Sequence, residues 1–78
     1  MEYKLQIAVA KALKATRTDK ALSQEELAHI CDLDRTYISG IERQIRNPTV
    51  KTLARILTSL KITEQDFLLR VISELNND

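Results

Sequence analysis

Residues 22–49 carry most of the structural information in this chain, and they read LSQEELAHICDLDRTYISGIERQIRNPT. Ser23 with Glu26 three residues later is a capping box, which predicts a helix that begins at Ser23. Asp34 is a good N-cap for a second helix. Asp32 lies in the turn between the two, where the chain needs a positive φ, and Asp tolerates a positive φ better than most residues. The stretch therefore predicts two short helices joined by a tight turn.

The rest of the chain predicts three more helices. A first helix covers roughly residues 3–18, a fourth follows Pro48 and Thr49, and a fifth covers about residues 63–75. Pro48 blocks continuation of a preceding helix, and Thr49 can cap the next one. No run alternates apolar and polar residues between turn signals, as a half-buried strand would. The predicted fold class is therefore all-α, with five helices.

Length and composition indicate one small domain, residues 1–78, and exclude several classes of protein. Cys31 is the only cysteine and His29 the only histidine, so neither an internal disulfide nor a metal site is expected. No apolar run resembles a signal peptide or a membrane span, which indicates a cytoplasmic protein without a membrane partner. No recognisable catalytic set is present, so we expect neither an enzyme nor a bound cofactor.

Positive charge is concentrated in one part of the chain, although the formal net charge is only +1. Residues 35–55 contain five Lys or Arg and one Glu, whereas residues 1–34 contain five basic and six acidic residues, and residues 56–78 two and four. A clustered basic excess is typical of nucleic-acid binding, but a solvated helix face can give the same count.

The third helix has an apolar side and a polar side. At 100° per residue Ile38 and Ile41 fall together, and the opposite side carries Arg35, Thr36, Ser39, Gly40 and Arg43. Arg can bridge O6 and N7 of guanine, and Thr can bind a base or pack on the thymine methyl group. Gly is unfavourable in a helix, so Gly40 indicates either close approach of another surface or simple tolerance. Two helices on a tight turn with such a face form a helix-turn-helix, whose second helix enters the DNA major groove.

Residues around the third helix are candidates for contact with the DNA backbone. The amide of Gln24 lies at a helix N-terminus, where a phosphate fits. Arg46 and Asn47 lie just past the third helix, beside Thr49, and can reach the sugar-phosphate backbone. The ring of Tyr37 can press on a sugar or on a base step. For each of these residues the alternative is a structural role in a cap, a turn or the rim of the core.

Arg17 and Glu42 are expected to form an internal ion pair. Glu42 falls at the edge of the buried face of the third helix. A pair with Arg17, from the first helix, would fix how the third helix is mounted. Because breaking a partly buried pair leaves a charge without a partner, we expect this pair to be structural.

Three segments resemble the Xre/Cro (phage-repressor) helix-turn-helix superfamily: SQEELA at 23–28, YISGIER at 37–43 and RNPT at 46–49. Within this superfamily, DRTYISGIER at 34–43, followed by the same RNPT, is especially similar to controller proteins of restriction-modification systems. The resemblance covers about residues 9–62.

The resemblance implies a compact five-helix, lambda-repressor-like DNA-binding domain in which helices 2 and 3 form the helix-turn-helix. It implies a homodimer on a two-fold symmetric operator in double-stranded DNA, and control of the protein's own gene and of an endonuclease gene. RNA polymerase is a further candidate partner of such a regulator. The site residues that it implies are base contacts at Arg35, Thr36, Ser39 and Arg43, backbone or shape contacts at Gln24, Tyr37, Arg46, Asn47 and Thr49, and a salt bridge between Arg17 and Glu42.

The chain departs from many relatives at two positions. Ala21 and Gln44 stand where those relatives have Gly, each just past a helix end. Left-handed backbone is expected at both positions, and Ala and Gln adopt it less easily than Gly does.

The fifth helix is predicted to mediate dimerisation. Its apolar residues spread over more than half of the helix circumference, which is more than one buried stripe requires. A domain this small gains stability from a shared core, and a two-fold dimer is the commonest arrangement. Part of the arc is expected to pack on the first and fourth helices, and the remainder on a partner; the alternative is a monomer whose extra apolar residues cover the edge of its own core. The candidate interface residues, which the sequence does not rank, are Phe67, Leu68, Leu69, Val71, Ile72 and Leu75.

Two other functions fit the same sequence: a phage-type repressor, and an antitoxin-like protein-interaction module. The second would explain the low net charge and the apolar fifth helix. A steep fall of DNA affinity with salt would favour a DNA-binding regulator. Tight binding to a co-encoded protein, without binding to DNA, would favour the interaction module.

Overall fold

The computed structural model describes residues 3–77, and these residues form five α-helices and no strand. In chain order the helices are α1 (Tyr3–Asp19), α2 (Gln24–Cys31), α3 (Arg35–Glu42), α4 (Val50–Leu60) and α5 (Glu64–Asn76). α1 packs mainly on α5, while α2 packs on both α3 and α4. The all-α fold predicted from the sequence is confirmed, with α2 and α3 as the two helices around the tight turn.

Helices α2 to α5 each begin at a polar cap that satisfies a free backbone N–H. The Ser23 hydroxyl accepts from the N–H of Glu26 at 2.9 Å, and the Ser23 N–H donates back to the Glu26 carboxylate at 2.8 Å. The capping box predicted for α2 is therefore present. The caps of the other three helices are Asp34, Thr49 and Thr63.

Four residues just past helix ends adopt left-handed backbone, and none of them is Gly. Their φ angles are 59° at Ala21, 57° at Asp32, 67° at Gln44 and 57° at Lys61. The expectations for Ala21, Asp32 and Gln44 are confirmed, whereas Lys61 was not predicted. Asp32 is the left-handed C-cap of α2, and only residues 32–34 separate α2 from α3, which makes the turn between them tight.

The hydrophobic core draws on all five helices. Its largest fully buried side chains are Leu13, Leu27, Ile38, Ile41, Ile56, Leu60 and Phe67. Ile38 and Ile41 are the two apolar residues of α3, and their exposed fractions are 0% and 1%. One side of α3 is therefore anchored in the core, which leaves the other side to face outward.

A bidentate ion pair between Arg17 and Glu42 joins α1 to the end of α3, as expected from the sequence. Arg17 Nε donates to Glu42 Oε2 at 2.6 Å, and Arg17 Nη2 donates to Oε1 at 3.0 Å. The two side chains are only 9% and 3% exposed. The third nitrogen, Nη1, donates to the Leu22 carbonyl at 2.7 Å. The hydrogen bond to Glu42 raises the pKa of the Arg17 guanidinium above its ordinary value, so this group stays charged.

We predict that Arg17→Ala and Glu42→Ala each lower the free energy of unfolding by roughly 3 kcal/mol, because each leaves a buried charge without its partner. The double variant should lose less than the sum of the two, since it leaves neither charge behind. Arg70→Ala is the control: Arg70 forms an exposed pair with Asp19 at 2.7 Å, and its loss should change stability by under about 1 kcal/mol. Denaturant melts measure all four variants. Melts of the Arg17 and Glu42 variants that match the parent would show that the pair is not structural.

We predict that Ala21→Gly raises stability by up to about 1 kcal/mol, since Gly adopts left-handed backbone without steric strain but loses more chain entropy on folding. Lys11→Gly is the matched control. It places Gly at an exposed position inside α1 and should lower stability by about 1 kcal/mol. Thermal melts should therefore move in opposite directions for the two variants, and a fall for both would contradict the account of the α1–α2 turn.

Candidate nucleic-acid interface

The outer face of α3 presents most of the residues predicted from the helical wheel. Arg35, Thr36 and Arg43 are exposed, and Ser39 is half-buried. Gly40 was also placed on this face, but the structure buries it. The reason is that the side chain of Arg46, from the loop after α3, lies over it.

Thr36 is held by the cap residue of its own helix. Its hydroxyl donates to Asp34 Oδ1 at 2.7 Å, and its N–H donates to the same oxygen at 2.9 Å. The hydroxyl bond and then the N–H bond lower the pKa of the Asp34 carboxyl, and the charge of Arg46 adds to the effect. Because its proton is directed at Asp34, Thr36 offers outward only acceptor lone pairs and a methyl group. That combination suits an adenine or cytosine amino group, or the thymine methyl group.

Arg46 and Tyr37 form one unit at the edge of α3. The guanidinium carbon of Arg46 lies 5.5 Å from the centre of the Tyr37 ring, which is cation–π distance. Tyr37 is half-buried and packs against the core. Together with Leu33, Asp34, Thr36 and Thr52, these two residues line a shallow depression at the start of α3.

Gln24 is the first residue of α2, and its side chain has a partner inside the protein. Its amide donates to Glu42 Oε1 at 3.0 Å, so it joins the Arg17–Glu42 pair. The amide carries two N–H donors, and one remains for an external acceptor. The predicted position at a helix N-terminus holds, while the bond to Glu42 was not predicted.

The loop after α3 combines exposed and structural residues. Asn47 is exposed. The Thr49 hydroxyl accepts from the N–H of Thr52 and donates to the Thr52 hydroxyl, each at 3.0 Å, so it is used in the cap of α4. Across the fold, the amide of Gln6 donates to the Gln44 carbonyl at 3.1 Å. This bond ties the loop to α1, and no pattern in the sequence indicated it.

The face formed by α3 and its following loop carries positive charge. Arg35, Arg43 and Arg46 are exposed, and none of them is in an ion pair with any residue in the range 3–77. Glu42, the one acidic residue between positions 35 and 55, is neutralised by Arg17. The local charge is therefore more favourable to a phosphate backbone than the net charge of +1 suggests.

The predicted interface residues of α5 fall into two groups. Phe67 and Val71 are 1% and 3% exposed and belong to the protomer's own core, so their assignment to a dimer interface is corrected. Their positions face α1 and α4, the helices against which α5 packs. Leu75 is half-buried against the same core. The exposed group is Leu68, Leu69 and Ile72.

A second apolar surface adjoins Leu68. Val50, the first residue of α4, is 86% exposed. Val50 and Leu68 line one groove between α4 and α5, together with Leu53, Ala54, Leu57, Glu64 and Phe67. Exposed apolar side chains that lie side by side, as Val50 and Leu68 do, are typical of an interface. No helix within residues 3–77 has the length and apolar character needed to cross a membrane.

Comparison with known proteins identifies the family. A helix-turn-helix family profile matches residues 13–67. Control protein C.BamHI of Bacillus amyloliquefaciens is 36% identical over 69 residues, covering 87% of this chain and 85% of the relative. A hypothetical transcription factor of Neisseria meningitidis serogroup B is 35% identical over 68 residues, and the match covers 87% of this chain and 64% of that protein.

The fold matches a solved protein–DNA complex. The restriction-modification controller protein C.Esp1396I, a tetramer in complex with its natural 35 base-pair operator, superimposes with a TM-score of 0.87 and is 42% identical, over 91% of this chain and 93% of that one. The chain therefore belongs to the Xre/Cro-type helix-turn-helix family, a family of DNA-binding regulators rather than enzymes, and it is similar to restriction-modification controller proteins over most of its length.

Proposed function

We propose that this protein is a sequence-specific transcriptional regulator that binds a palindromic operator as a homodimer. In this proposal it is the controller of a restriction-modification system and regulates its own gene and the endonuclease gene. The observation that carries the proposal is the outer face of α3. Arg35 and Thr36 are exposed on a helix whose other side is buried and whose end is fixed by the Arg17–Glu42 pair.

Base recognition is assigned to the side chains of α3. Arg35 stands in the first turn with its guanidinium exposed, and such a group can bridge two acceptors of one guanine. Thr36 adds an acceptor and a methyl group, because its proton is directed at Asp34. Ser39 and Arg43 follow on the same face, one and two turns further along.

Affinity for the DNA backbone is assigned to the surrounding residues. Gln24 has one amide N–H left for a phosphate at the N-terminus of α2. Arg46 and Asn47 are exposed beyond α3, and Tyr37 supports Arg46 through its ring. The Thr49 hydroxyl is already used to cap α4, so Thr49 contributes by fixing the turn.

Dimerisation is assigned to the exposed apolar residues of α5, Leu68, Leu69 and Ile72, and to Val50, which lines one groove with Leu68. A two-fold copy packed on these residues would bury their side chains symmetrically. Two copies of α3 would then be presented to the same side of the DNA, about one turn or roughly 34 Å apart. That spacing requires a palindromic operator.

The cellular location and the chemical requirements of the proposed regulator follow from its binding to DNA. A regulator of bacterial type works in the cytoplasm, where the DNA lies, and needs neither catalysis nor a cofactor. Because it acts at a promoter, RNA polymerase is the further partner in this proposal.

We predict that base and backbone residues respond differently to truncation. Arg35→Ala should lose about 1–3 kcal/mol of preference for the DNA upstream of its own gene over scrambled DNA, because it removes a bidentate base contact. Asn47→Ala should weaken binding to both duplexes alike, because a backbone contact carries no sequence information. Fluorescence anisotropy at one fixed salt concentration measures both, with Arg70→Ala on α5 as the unaffected control. An unchanged preference in Arg35→Ala would contradict the assignment.

We predict that Val50→Glu and Leu68→Glu convert the dimer into a monomer, because each introduces a charge among the apolar residues of the proposed interface. Val50→Glu should leave the fold stable, since an acidic side chain is favourable at a helix N-terminus. Ile30→Glu, at a 53% exposed apolar position on α2, is the control and should remain dimeric. Sedimentation equilibrium at micromolar concentration decides. A monomeric parent that binds a half-site as tightly as the full palindrome would contradict the dimer.

A further inference from the structure

Gly40 occupies a position where the backbone does not require Gly. It lies inside α3, and no Gly in residues 3–77 has a positive φ. Ala would be about 1 kcal/mol more favourable at an interior helix position. Gly40 therefore weakens the helix on which the proposed function depends, and a reason must be found in its surroundings.

The surroundings of Gly40 are the stem of Arg46. A methyl group added to Gly40 would lie 3.1 Å from Cγ and 3.2 Å from Cδ of Arg46. Carbon atoms in ordinary contact are about 3.5–4.0 Å apart, so the two cannot coexist without a shift. Without that methyl group, the Arg46 side chain lies flat across α3.

The backbone of the loop leaves Arg46 little room to retreat. The N–H groups of Ile45 and Arg46 both donate to the Gly40 carbonyl, at 2.9 and 3.1 Å. The start of the Arg46 side chain is therefore held over Gly40, and an added Cβ would be 3.6 Å from Arg46 Cβ, an ordinary contact. The conflict lies in the stem, which would have to move by a few tenths of an ångström.

The direction of the stem decides where the charge of Arg46 goes. In its present position the guanidinium lies over the Tyr37 ring at 5.5 Å, in the depression that also contains Thr36 and Asp34. A displaced stem would shift the guanidinium relative to the Tyr37 ring and to the start of α3. The absence of a side chain at Gly40 therefore determines where the positive charge of Arg46 lies at the edge of the DNA-binding face.

We propose that Gly40 is a positioning residue for DNA binding. Because Gly40 has no side chain, the aliphatic stem of Arg46 packs directly on α3, and this packing directs the Arg46 guanidinium to the DNA. The inference rests on the proposed function, in which Arg46 contacts the DNA backbone. Gly40 itself touches no DNA in this proposal. It acts only through Arg46, and this dependence can be measured.

The test is a double-mutant cycle of Gly40→Ala, Arg46→Ala and the double variant, with melts and operator binding for each. Gly40→Ala should not unfold the protein, since Ala favours the helix. It should nevertheless weaken binding about tenfold, the range expected when a hydrogen bond from a charged group is lost. In the Arg46→Ala background, where no stem remains, the same change should alter binding less than about twofold.

Three outcomes would overturn the inference in different ways. If Arg46→Ala weakens binding but Gly40→Ala does not, Gly40 positions nothing and the proposed function stands. If Gly40→Ala weakens binding equally in both backgrounds, it acts through α3 and not through Arg46. If Arg46→Ala has no effect on binding, the role of Arg46 in the proposed function fails, and the inference fails with it.

A second measurement requires no DNA. Protons of the Arg46 side chain over the Tyr37 ring should resonate upfield of their usual positions in the NMR spectrum of the free protein. Gly40→Ala should remove this ring-current shift, as Tyr37→Leu should. Arg46 protons at ordinary positions in the parent protein would show that the stem is not seated on α3, which overturns the proposal even where Gly40→Ala fails to fold.

Discussion

The ion pair between Arg17 and Glu42 is the constraint on which the DNA-binding face depends. A recognition helix of eight residues, α3, is too short to hold its own orientation and must be fixed by its neighbours. Arg17 makes two bonds to Glu42 and one to the Leu22 carbonyl, while Gln24 binds the same carboxylate. A single buried carboxylate therefore links α1, the start of α2 and the end of α3. A shift of the Glu42 carboxylate would therefore also shift the side chains of α3 that are proposed to read DNA.

The same ion pair accounts for the charge of the surface. Glu42 is the one acidic residue in the basic segment 35–55, and Arg17 neutralises it within the protein. Asp34 also lies on this face and stays negatively charged, because the hydrogen bonds from Thr36 lower the pKa of its carboxyl, so it offsets only one of the three positive charges. The exposed guanidinium groups of Arg35, Arg43 and Arg46 then dominate. A protein with a net charge of only +1 can therefore present a clearly positive face, and its affinity for DNA should fall steeply with salt.

The sequence predicts the fold well because its signals are local. The caps at Ser23, Asp34 and Thr49, and the left-handed position at Asp32, each depend on a few neighbouring residues. The exposed side of α3 follows from helical periodicity, except at Gly40, where a side chain from another segment intervenes. Periodicity also assigned too much of α5 to an interface. A helical wheel of α5 gives the width of its apolar arc, but it does not show which part of the arc the protomer itself covers. Phe67 and Val71 are buried inside the protomer by tertiary packing.

We infer that this fold reads a two-fold symmetric DNA sequence. Selection from a pool of random-sequence duplexes, with the intact protein at physiological salt, tests it without assuming any operator sequence. We expect enrichment of palindromes whose half-site centres lie about 10–10.5 base pairs, or a multiple of this, apart. Recovery of sequences with no common motif, or of a single half-site without its symmetric copy, would contradict it.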